Sequence, residues 1–517
     1  MVWLLVLGAV LVLLVAVAVH DLLQRKHAIL RNFPVIGHFR FILEAVGPEL
    51  RQYIVTDNDS ERPFSRDDRR WVYANSKLEN PYFGFGTDND LDRVDVYIIF
   101  KQVTFPFAPA TPPPENPDPA LPLESLKVLG GPRRRAGEFR PSSIVNVSGM
   151  SFGSLSGAAV EALNKGCAIA GALQATGEGG ISVHHRQGGD LVWQIGTGYF
   201  GCCDEQGRFD LARLVDAAAG APVRAIEIKL SQGAKPGLGG LLPARKVTPA
   251  IAAARGVPVG IDCHSPARHS AFGDVDSMLE FVETIAATTG LPVGIKSAVG
   301  DEQFWVELVD RMVATGTGPD FVTVDGGEGG TGAAPLAFAD HVALPFRWGF
   351  ARVYRTFAEH DMTDQVTFIG SGKLGLPERG LTALALGCDM LNVGRTALFS
   401  IGCIQAQRCH TDRCPTGVAT QNPRLERGLD VGLKSLRCAN YLSAVRFELV
   451  RLAHAMGVEH PSLVSAEAVE ILEDGWRSRT LADVVAYSPG WGMPSVAVID
   501  EWRADTGGAT ERPGGLR

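Results

Sequence analysis

The sequence predicts an α/β fold, a (β/α)8 TIM barrel, preceded by an N-terminal transmembrane helix and a lead-in segment. Eight short apolar runs of β-type residues alternate with helical stretches, which is typical of a parallel sheet covered on both faces. Eight such units favour a closed barrel over the alternative, an open doubly wound sheet. Glycine-rich motifs follow several runs, where a barrel carries its chemistry. The predicted strands are 143–149, 172–176, 225–230, 258–263, 292–297, 321–325, 366–370 and 390–394.

An uncharged apolar run occupies residues 2–19. At about 1.5 Å per residue, its length is near the minimum for a membrane-spanning helix. Arg25, Lys26 and Arg31 follow the run and nothing basic precedes it. The positive-inside rule therefore predicts a single-pass membrane protein with the barrel in the cytoplasm. A cleaved signal peptide is the alternative, since residues 16–18 resemble a cleavage site, but its positive charge belongs before the apolar run.

Six regions are predicted along the chain. Eight prolines between residues 104 and 125 indicate a stiff, extended connector. Residues 433–456 read as an amphipathic helix that packs on the barrel. The predicted regions are a transmembrane anchor at 1–20, a lead-in region at 21–103, the connector at 104–125, the barrel with its cysteine loop at 126–432, a C-terminal helical region at 433–503 and a disordered tail at 504–517.

The charge of the chain excludes one class of partner. It has 517 residues with 49 Lys plus Arg against 57 Asp plus Glu, a net charge of −8. Nucleic-acid binding would call for a basic surplus, so no nucleic-acid partner is expected. Nine cysteines, an odd number, fit a disulfide framework poorly. Reduced thiols or metal ligation fit them better.

Three cysteines lie close together in the sequence. Cys403, Cys409 and Cys414 fall within twelve residues, with a proline directly after the last. Three thiolates on one loop suit an iron–sulfur cluster, and three ligands favour a 3Fe-4S cluster. Zinc with His410 as a fourth ligand is one alternative, although the usual paired two-residue gaps are missing. A structural trio of thiols is another, and Cys438 is a further candidate iron ligand.

Three loops are candidates for a phosphate site: residues 325–332, 370–373 and 394–395, after the sixth, seventh and eighth predicted strands. Backbone N–H groups in such turns bind anions, and barrels often build phosphate sites there. The alternative is that the glycines only make tight turns. Residues 196–201 match the dinucleotide fingerprint, but no helix is predicted after them. No NAD-binding domain is therefore predicted, and electrons should come from a partner.

Together these motifs resemble the FMN-binding synthase domain of glutamate synthases. The resemblance covers about residues 140–425, in order and with similar gaps. An apolar N-terminus before a single barrel is similar to the stand-alone glutamate synthase-like proteins. The matching segments are MSFGSLS at 150–156, TGEGG at 176–180, KLSQGAKPG at 229–237, GGTGA at 329–333 and the cysteine loop at 402–421.

The resemblance implies that FMN is the cofactor. It places four residues against the flavin ring: Met150, Ser151, Lys229 and Lys296. A cation there would favour the reduced, anionic flavin. It places five others at the phosphate: Gly329, Gly330, Gly372, Gly394 and Arg395.

The resemblance also implies a 2-oxoglutarate site lined by Glu178, Gln232, Lys235 and Arg255. A dicarboxylate needs fixed cations, and arginine offers a bidentate fork. Glu178 and Lys229 are the expected catalytic residues, with Glu178 handling protons as the imine forms. The alternative for each charge is a solvated residue at the top of the barrel.

Two departures from the family pattern bear on the substrate. Full-length members begin with a catalytic cysteine that hydrolyses glutamine, whereas position two here is Val and the amidotransferase domain is missing. The family's Pro-Pro-Pro-His-His run corresponds to Ser-Pro-Ala-Arg-His at residues 265–269. These differences question the substrate and not the cofactor.

The expected function is reductive amination of 2-oxoglutarate or a similar 2-oxo acid. Electrons would come from a partner such as ferredoxin or a reductase subunit, and nitrogen from ammonia, an amine or a partner amidotransferase. One alternative is an FMN barrel dehydrogenase for a membrane-associated substrate, with the cluster as the electron exit. Another is a membrane redox subunit that turns over no small molecule.

Overall fold

The computed structural model describes residues 2–24, 26–82, 84–87, 89, 91, 96–108, 118–119, 122–473 and 476–506. The chain divides into two compact units, Met1–Arg70 and Trp71–Arg517.

The first unit is helical. Its first helix, Val2–Leu23, is exposed except near its C-terminal end, where Asp21 is buried, and, among the described residues, is the one helix long and apolar enough to cross a membrane. A signal sequence meets the same test of length and composition. A short helix, Ala28–Asn32, leads to Gly37–Leu50, which continues as a π-helical turn at Arg51–Val55. The predicted helix at 2–19 is confirmed as a helix, and its place in a membrane stays a prediction.

The second unit contains a closed barrel of eight parallel strands. Each strand is hydrogen-bonded to the next, and Leu391 pairs with Val145 to close the ring. The predicted (β/α)8 barrel is confirmed, and the open doubly wound alternative is wrong. The strands are Val145–Val147, Gln174–Ala175, Leu191–Ile195, Val223–Lys229, Val293–Ser297, Phe321–Asp325, Thr367–Ser371 and Met390–Val393.

One predicted barrel strand is wrong and one was missed. Within 258–263, only Cys263 belongs to a strand, Cys263–His264, and it pairs antiparallel with Leu241–Leu242 outside the barrel. Its apolar side chains do not reflect burial, because Val259 and Ile261 are 56% and 57% exposed. The missed strand is Leu191–Ile195, where a buried polar residue, Gln194, interrupts the apolar run.

Helices surround the barrel and are held by local capping. Ser156 accepts a hydrogen bond from the backbone of Ala159, and Asp274 caps the helix that follows it. The helices between and after the strands are Gly157–Ala170, Leu211–Ala219, Pro249–Arg255, Val275–Thr289, Gln303–Thr315, Leu336–His341, Phe346–Ala358, Pro377–Ala385 and Arg395–Ser400.

The C-terminal region packs against the barrel. Its long helix, Val431–Ala455, agrees with the helix predicted at 433–456 and lies on Gly157–Ala170. The contact is close, because a Cβ on Gly166 would lie 2.6 Å from Cβ of Cys438. The remaining helices of this unit are Arg66–Ser76, which begins in the first unit, and Pro423–Glu426, Leu481–Val485 and Val496–Thr506.

The lead-in region contributes a strand to a three-stranded antiparallel sheet. Tyr97–Phe100 pairs with Val469–Leu472, which pairs in turn with Ser478–Thr480. Much of the predicted connector, at 109–117 and 120–121, lies outside the described residues, as does 507–517 of the predicted tail. Residues 504–506 of that tail belong to a helix. The predicted region boundaries stay predictions.

The N-terminal end of the barrel is closed by an apolar cluster. Leu129, from the segment before the first strand, packs with Ala225, Phe321, Ile369 and Met390. All five side chains are 5% exposed or less. The open end is therefore the C-terminal one, where the predicted site residues follow their strands.

Candidate active site

Three predicted site residues meet at the C-terminal end of the barrel. Glu178 follows the second strand, and Lys229 ends the fourth. Nζ of Lys229 lies 3.2 Å from Oε2 of Glu178 and donates a 2.6 Å hydrogen bond to Oε1 of Gln232. The structure thus joins Glu178, Lys229 and Gln232 in one hydrogen-bonded group.

Two further cations act on the same carboxylate. Burial raises the pKa of Glu178, but Lys229, Lys235 and Arg255 outweigh it, and the pKa falls below its ordinary value. Burial lowers the pKa of Lys235; Glu178 opposes this and Lys229 adds to it, so the net shift is downward. Glu178 is therefore an ionised carboxylate inside a cluster of three cations.

Arg255 is held at the end of the helix Pro249–Arg255 and is only 6% exposed. Its guanidinium lies over the ring of Phe200, 4.9 Å from the centroid, and Nη1 contacts Sγ of Cys263 at 3.6 Å. Its buried Nε has no hydrogen-bond partner among the described residues. A buried donor of this kind is costly to leave unpaired, so the site has a donor to offer a ligand.

Met150 and Ser151 lie against the loop that carries Glu178. Gly177, with φ of +70°, packs so closely that a Cβ there would lie 2.4 Å from the backbone nitrogen of Ser151. A Cβ on Gly179 would lie 2.9 Å from Cβ of Ser151 and 3.3 Å from Nη2 of Arg255. Only glycine lets the first and second loops approach in this way.

Lys296 belongs to a deeper ionic network. Its Nζ lies 3.6 Å from Oδ1 of Asp325, at the end of the sixth strand. Burial lowers the pKa of Lys296, but Asp325, Glu227 and Glu178 outweigh it, and the pKa rises. Lys296 therefore stays charged in the floor of the site.

The sequence interpretation missed the residues that hold this network. Oδ2 of Asp325 accepts a 2.8 Å hydrogen bond from the backbone of Gly233, which ties the sixth loop to the segment carrying Gln232 and Lys235. Glu227 accepts hydrogen bonds from Thr323 and Gln194. Each is a buried acidic residue next to apolar strand residues, and that was the available signal.

The predicted phosphate residues come from three neighbouring loops. A Cβ on Gly330 would lie 2.7 Å from Cδ of Arg395, whose guanidinium donates to the carbonyl of Glu328. Burial lowers the pKa of Arg395 to about 10. The sixth and seventh loops are joined by a 2.8 Å hydrogen bond from the backbone of Gly326 to that of Ser371.

Gly372 and Gly394 complete this arrangement. Gly372 has φ of +138°, and a Cβ there would lie 3.1 Å from the backbone nitrogen of Gly326. Gly394 precedes the helix Arg395–Ser400, and a Cβ there would lie 4.0 Å from Sδ of Met150. The backbone of Gly329 donates to Gly326 at 2.9 Å, inside its own loop. Gly329, Gly330, Gly372 and Gly394 together form what we call the glycine cradle, and it lies beside Met150.

The cysteine loop presents sulfur atoms to backbone donors. The backbone of Gln405 donates to Sγ of Cys403 at 3.5 Å. Burial raises the pKa of Cys414, but the Thr416 hydroxyl and the backbone N–H groups of residues 416, 418 and 419 outweigh it, and the pKa falls. Burial and the neighbouring Cys414 raise the pKa of Cys409. In the described part of the chain no group of three or more His, Cys, Asp or Glu side chains is placed to hold a metal ion.

The glycine motif at 196–201 forms a wall of the Glu178 site. It follows the strand Leu191–Ile195, but the next helix begins only at Leu211. A Cβ on Gly196 would lie 2.6 Å from Oε2 of Glu178. The motif therefore makes room for the carboxylate of Glu178.

The altered loop at 265–269 also borders the site. A Cβ on Gly240 would lie 3.2 Å from Oγ of Ser265 and 3.7 Å from Oε1 of Glu178. At the other end of the loop, buried His269 contacts the carbonyl of Lys229 at 2.9 Å. Ser265, one of the altered positions, thus lies beside Gly240 and Glu178.

Comparisons with known proteins agree with this barrel. The family model for the conserved region in glutamate synthase matches residues 135–459. The glutamate synthase large subunit-like protein YerD of Bacillus subtilis (strain 168) is 37% identical over 489 residues, which cover 89% of this chain and 92% of that protein. The archaeal-type glutamate synthase (NADPH) of Thermotoga sp. (strain RQ2) is 34% identical over 319 residues, 61% of this chain and 59% of that protein.

Among solved structures, a flavocytochrome b2 with sulfite bound matches 96% of this chain at 13% identity, with a TM-score of 0.42 and 95% of its own chain covered. A TM-score this low says nothing about the family of this chain. The family model and the two relatives show that the chain belongs to the glutamate synthase family, a family of oxidoreductases acting on CH–NH2 donors.

Proposed function

We propose that this chain is an FMN-dependent oxidoreductase that reductively aminates 2-oxoglutarate or a similar 2-oxo acid. One observation carries the proposal: the carboxylate of Glu178 lies within a group of three cations, Lys229, Lys235 and Arg255, at the open end of the barrel. The relatives named glutamate synthase support the reaction type.

FMN fits the glycine cradle. Gly330 and Gly372 let Arg395 and the backbone of Gly326 approach closely, no described atom would crowd a Cβ on Gly394 more closely than 3.7 Å, and Arg395 supplies a half-buried cation beside them. These residues, with Gly329, would hold the phosphate, while Met150, Ser151, Lys229 and Lys296 would border the ring system. Bound FMN would supply hydride-transfer chemistry, and the protein supplies binding, orientation and electrostatics.

The charged groups around Glu178 suit an anionic substrate. Three cations against one carboxylate leave two positive charges, which match a dicarboxylate. The unpartnered Nε of Arg255 is a donor directed to no group of the described chain. Arg255 and Lys235 therefore bind the carboxylates, and Gln232, held by Lys229, orients the substrate.

Glu178 exchanges the proton. Because its pKa is lowered, it is ionised at neutral pH; it takes a proton from the nitrogen as ammonia adds to the 2-oxo carbon and returns it to the hydroxyl that leaves as water when the imine forms. Lys229, 3.2 Å away, stabilises the charged form. The same linkage gives a pH window: this ion pair contributes stability above the ordinary carboxyl pKa of 4.5 and is lost as the pH falls through the lowered pKa.

We also propose a 3Fe-4S cluster on Cys403, Cys409 and Cys414. The spacing of the three thiols and the N–H donors at Cys403 and Cys414 support it. In this structure the three side chains are not placed together to hold a metal ion. The reaction steps proposed above use none of them. Electrons would come from ferredoxin or a reductase subunit, and nitrogen from ammonia, an amine or an amidotransferase partner.

The location we propose is a membrane, with the helix Val2–Leu23 as a single-pass anchor and the barrel in the cytoplasm. The length and apolar composition of that helix and the basic residues after it support this topology.

A second candidate function is dehydrogenation of a different substrate by the same barrel. The altered loop at 265–269 favours it, because Ser265 lies beside Gly240 and Glu178. This candidate uses the same cofactor site and differs in the molecule bound.

The test is glutamate formation by anaerobically reduced, FMN-loaded protein supplied with 2-oxoglutarate and ammonia. Glu178→Gln should lower the rate by about 10²- to 10⁴-fold, the usual worth of a general acid–base group, with FMN content unchanged. Glu307→Gln, on an outer helix, is the matched control and should retain the wild-type rate. Wild-type protein that forms no amino acid from any 2-oxo acid offered would contradict the proposal.

A further inference from the structure

The helix Gly37–Leu50 carries an exposed apolar stripe. Ile36, Phe39, Leu43, Val46 and Leu50 recur at intervals of three and four residues, so they lie along one face. Their exposed fractions are 77%, 63%, 50%, 45% and 40%. A face this apolar is normally covered, which indicates an interaction surface.

This stripe is tied to the end of the apolar first helix. Asp21, in the last turn of Val2–Leu23, is fully buried, and its carboxylate accepts a 2.8 Å hydrogen bond from the backbone of Val35. Nε2 of His38, in the first turn of the helix Gly37–Leu50, lies 2.9 Å from Oδ1 of Asp21. The amphipathic helix therefore begins where the apolar helix ends.

The stripe borders a groove of about 820 Å³. The short helix Ala28–Asn32 and the residue Phe33 supply its second wall. Arg51 and the ion pair between Arg40 and Glu44, 2.8 Å apart, line its edge. An apolar groove whose edge carries a net positive charge suits lipid tails below anionic headgroups.

We propose that the helix Gly37–Leu50 lies in the membrane–water interface, with its apolar stripe and groove against lipid. The proposal rests on the membrane anchoring proposed above. Two observations select lipid as the occupant: the start of the helix that bears the stripe is tied to the end of the anchor through Asp21, and residues 26–55 carry four Lys or Arg against two Glu. A second copy of this chain is the competing occupant, and the experiment separates them.

The experiment is photo-crosslinking of the full-length chain in vesicles of phosphatidylethanolamine and phosphatidylglycerol containing radiolabelled lipid. A photoreactive phenylalanine analogue replaces Phe39 or Leu43 in the stripe. Ala45, on the opposite face of the same helix and also exposed, is the matched control. Leu11, within the anchor helix, reports on anchoring itself.

We expect lipid adducts at Phe39 and Leu43 at a yield close to that at Leu11 and several-fold above that at Ala45. Adducts to a second copy of the chain at Phe39 and Leu43 would overturn the inference in favour of a dimer. Lipid labelling at Leu11 with only the Ala45 background at Phe39 and Leu43 would also overturn it, while the anchor would stand. Absence of lipid labelling at Leu11 would refute the anchor and the interfacial helix together.

Discussion

Tyr199 donates its hydroxyl hydrogen to Nδ1 of His269 across 3.1 Å. This direction follows because the Tyr199 oxygen already accepts from the backbone N–H groups of Ser270 and Ala271, at 3.1 and 3.0 Å. His269 therefore carries its hydrogen on Nε2, which donates to the carbonyl of Lys229 at 2.9 Å. Two residues outside the predicted site thus hold the backbone of Lys229 and the altered loop.

Tyr199→Phe should release this loop. Losing the acceptor of two backbone N–H groups costs roughly 1–1.5 kcal/mol each, so hydrogen exchange at Ser270 and Ala271 should accelerate about tenfold. Exchange followed by mass spectrometry on the peptide containing residues 265–272 measures this. Tyr97→Phe, in the strand outside the barrel, removes a hydroxyl elsewhere and should leave that peptide unchanged. Equal exchange in Tyr199→Phe and wild type would show that the hydroxyl does not hold the loop.

Gly330→Ala should weaken FMN binding. The added Cβ would lie 2.7 Å from Cδ of Arg395 and force that side chain away from the cradle. A displaced cation at a phosphate site costs roughly 1.4 kcal/mol or more, which corresponds to about tenfold in affinity. Flavin fluorescence retained after dialysis reports the change.

Gly332→Ala is the matched control, because nothing lies within 4 Å of a Cβ at that position. It should keep the wild-type flavin content. If both variants lose flavin equally, or neither does, the phosphate is not held beside Gly330 and Arg395.

Cys409→Ser should remove iron and leave most of the flavin. A three-iron cluster with one ligand missing is not retained, whereas the FMN residues lie on other loops. In anaerobically purified protein, iron should fall from about three per chain, and acid-labile sulfide from about four, to near zero. Cys203→Ala, a buried cysteine near Arg213, should keep its iron. Zinc in place of iron in the wild-type protein would refute the cluster.

The sequence predicted much of this fold because seven barrel strands are apolar runs that end in small or polar residues. Leu191–Ile195 was missed because Gln194 is buried there by its hydrogen bond to Glu227, a partner from another strand. The run at 258–263 was wrongly predicted to be a barrel strand, because its apolar side chains are exposed and not buried in the barrel. Periodicity reports composition and not partners, so it missed a strand whose polar side chain is buried only by a partner from another strand.

The candidate site was predicted in part for a similar reason. The motifs identified Glu178, Lys229 and Gln232, which the structure joins by direct contacts. They did not identify Tyr199 and His269, which act through one hydrogen bond between loops 70 residues apart. Such pairings depend on how loops meet at the barrel mouth, and no local pattern encodes them.

If the cations around Glu178 bind a 2-oxo acid beside the flavin, 2-oxoglutarate should perturb the flavin spectrum of the reduced protein. Reduced, FMN-loaded protein is titrated with 2-oxoglutarate, and the flavin spectrum is followed in wild type, Arg255→Ala and Lys235→Ala. Removing one partner of a buried charged pair costs roughly 2–5 kcal/mol, so each variant should bind more than about tenfold more weakly. Arg311→Ala, an exposed cation on the outer helix Gln303–Thr315, is the control and should bind as wild type does. We expect wild type and the control to bind 2-oxoglutarate more tightly than Arg255→Ala and Lys235→Ala. The FMN content should be the same in all four proteins. A wild-type spectrum that does not respond to millimolar 2-oxoglutarate would contradict the account.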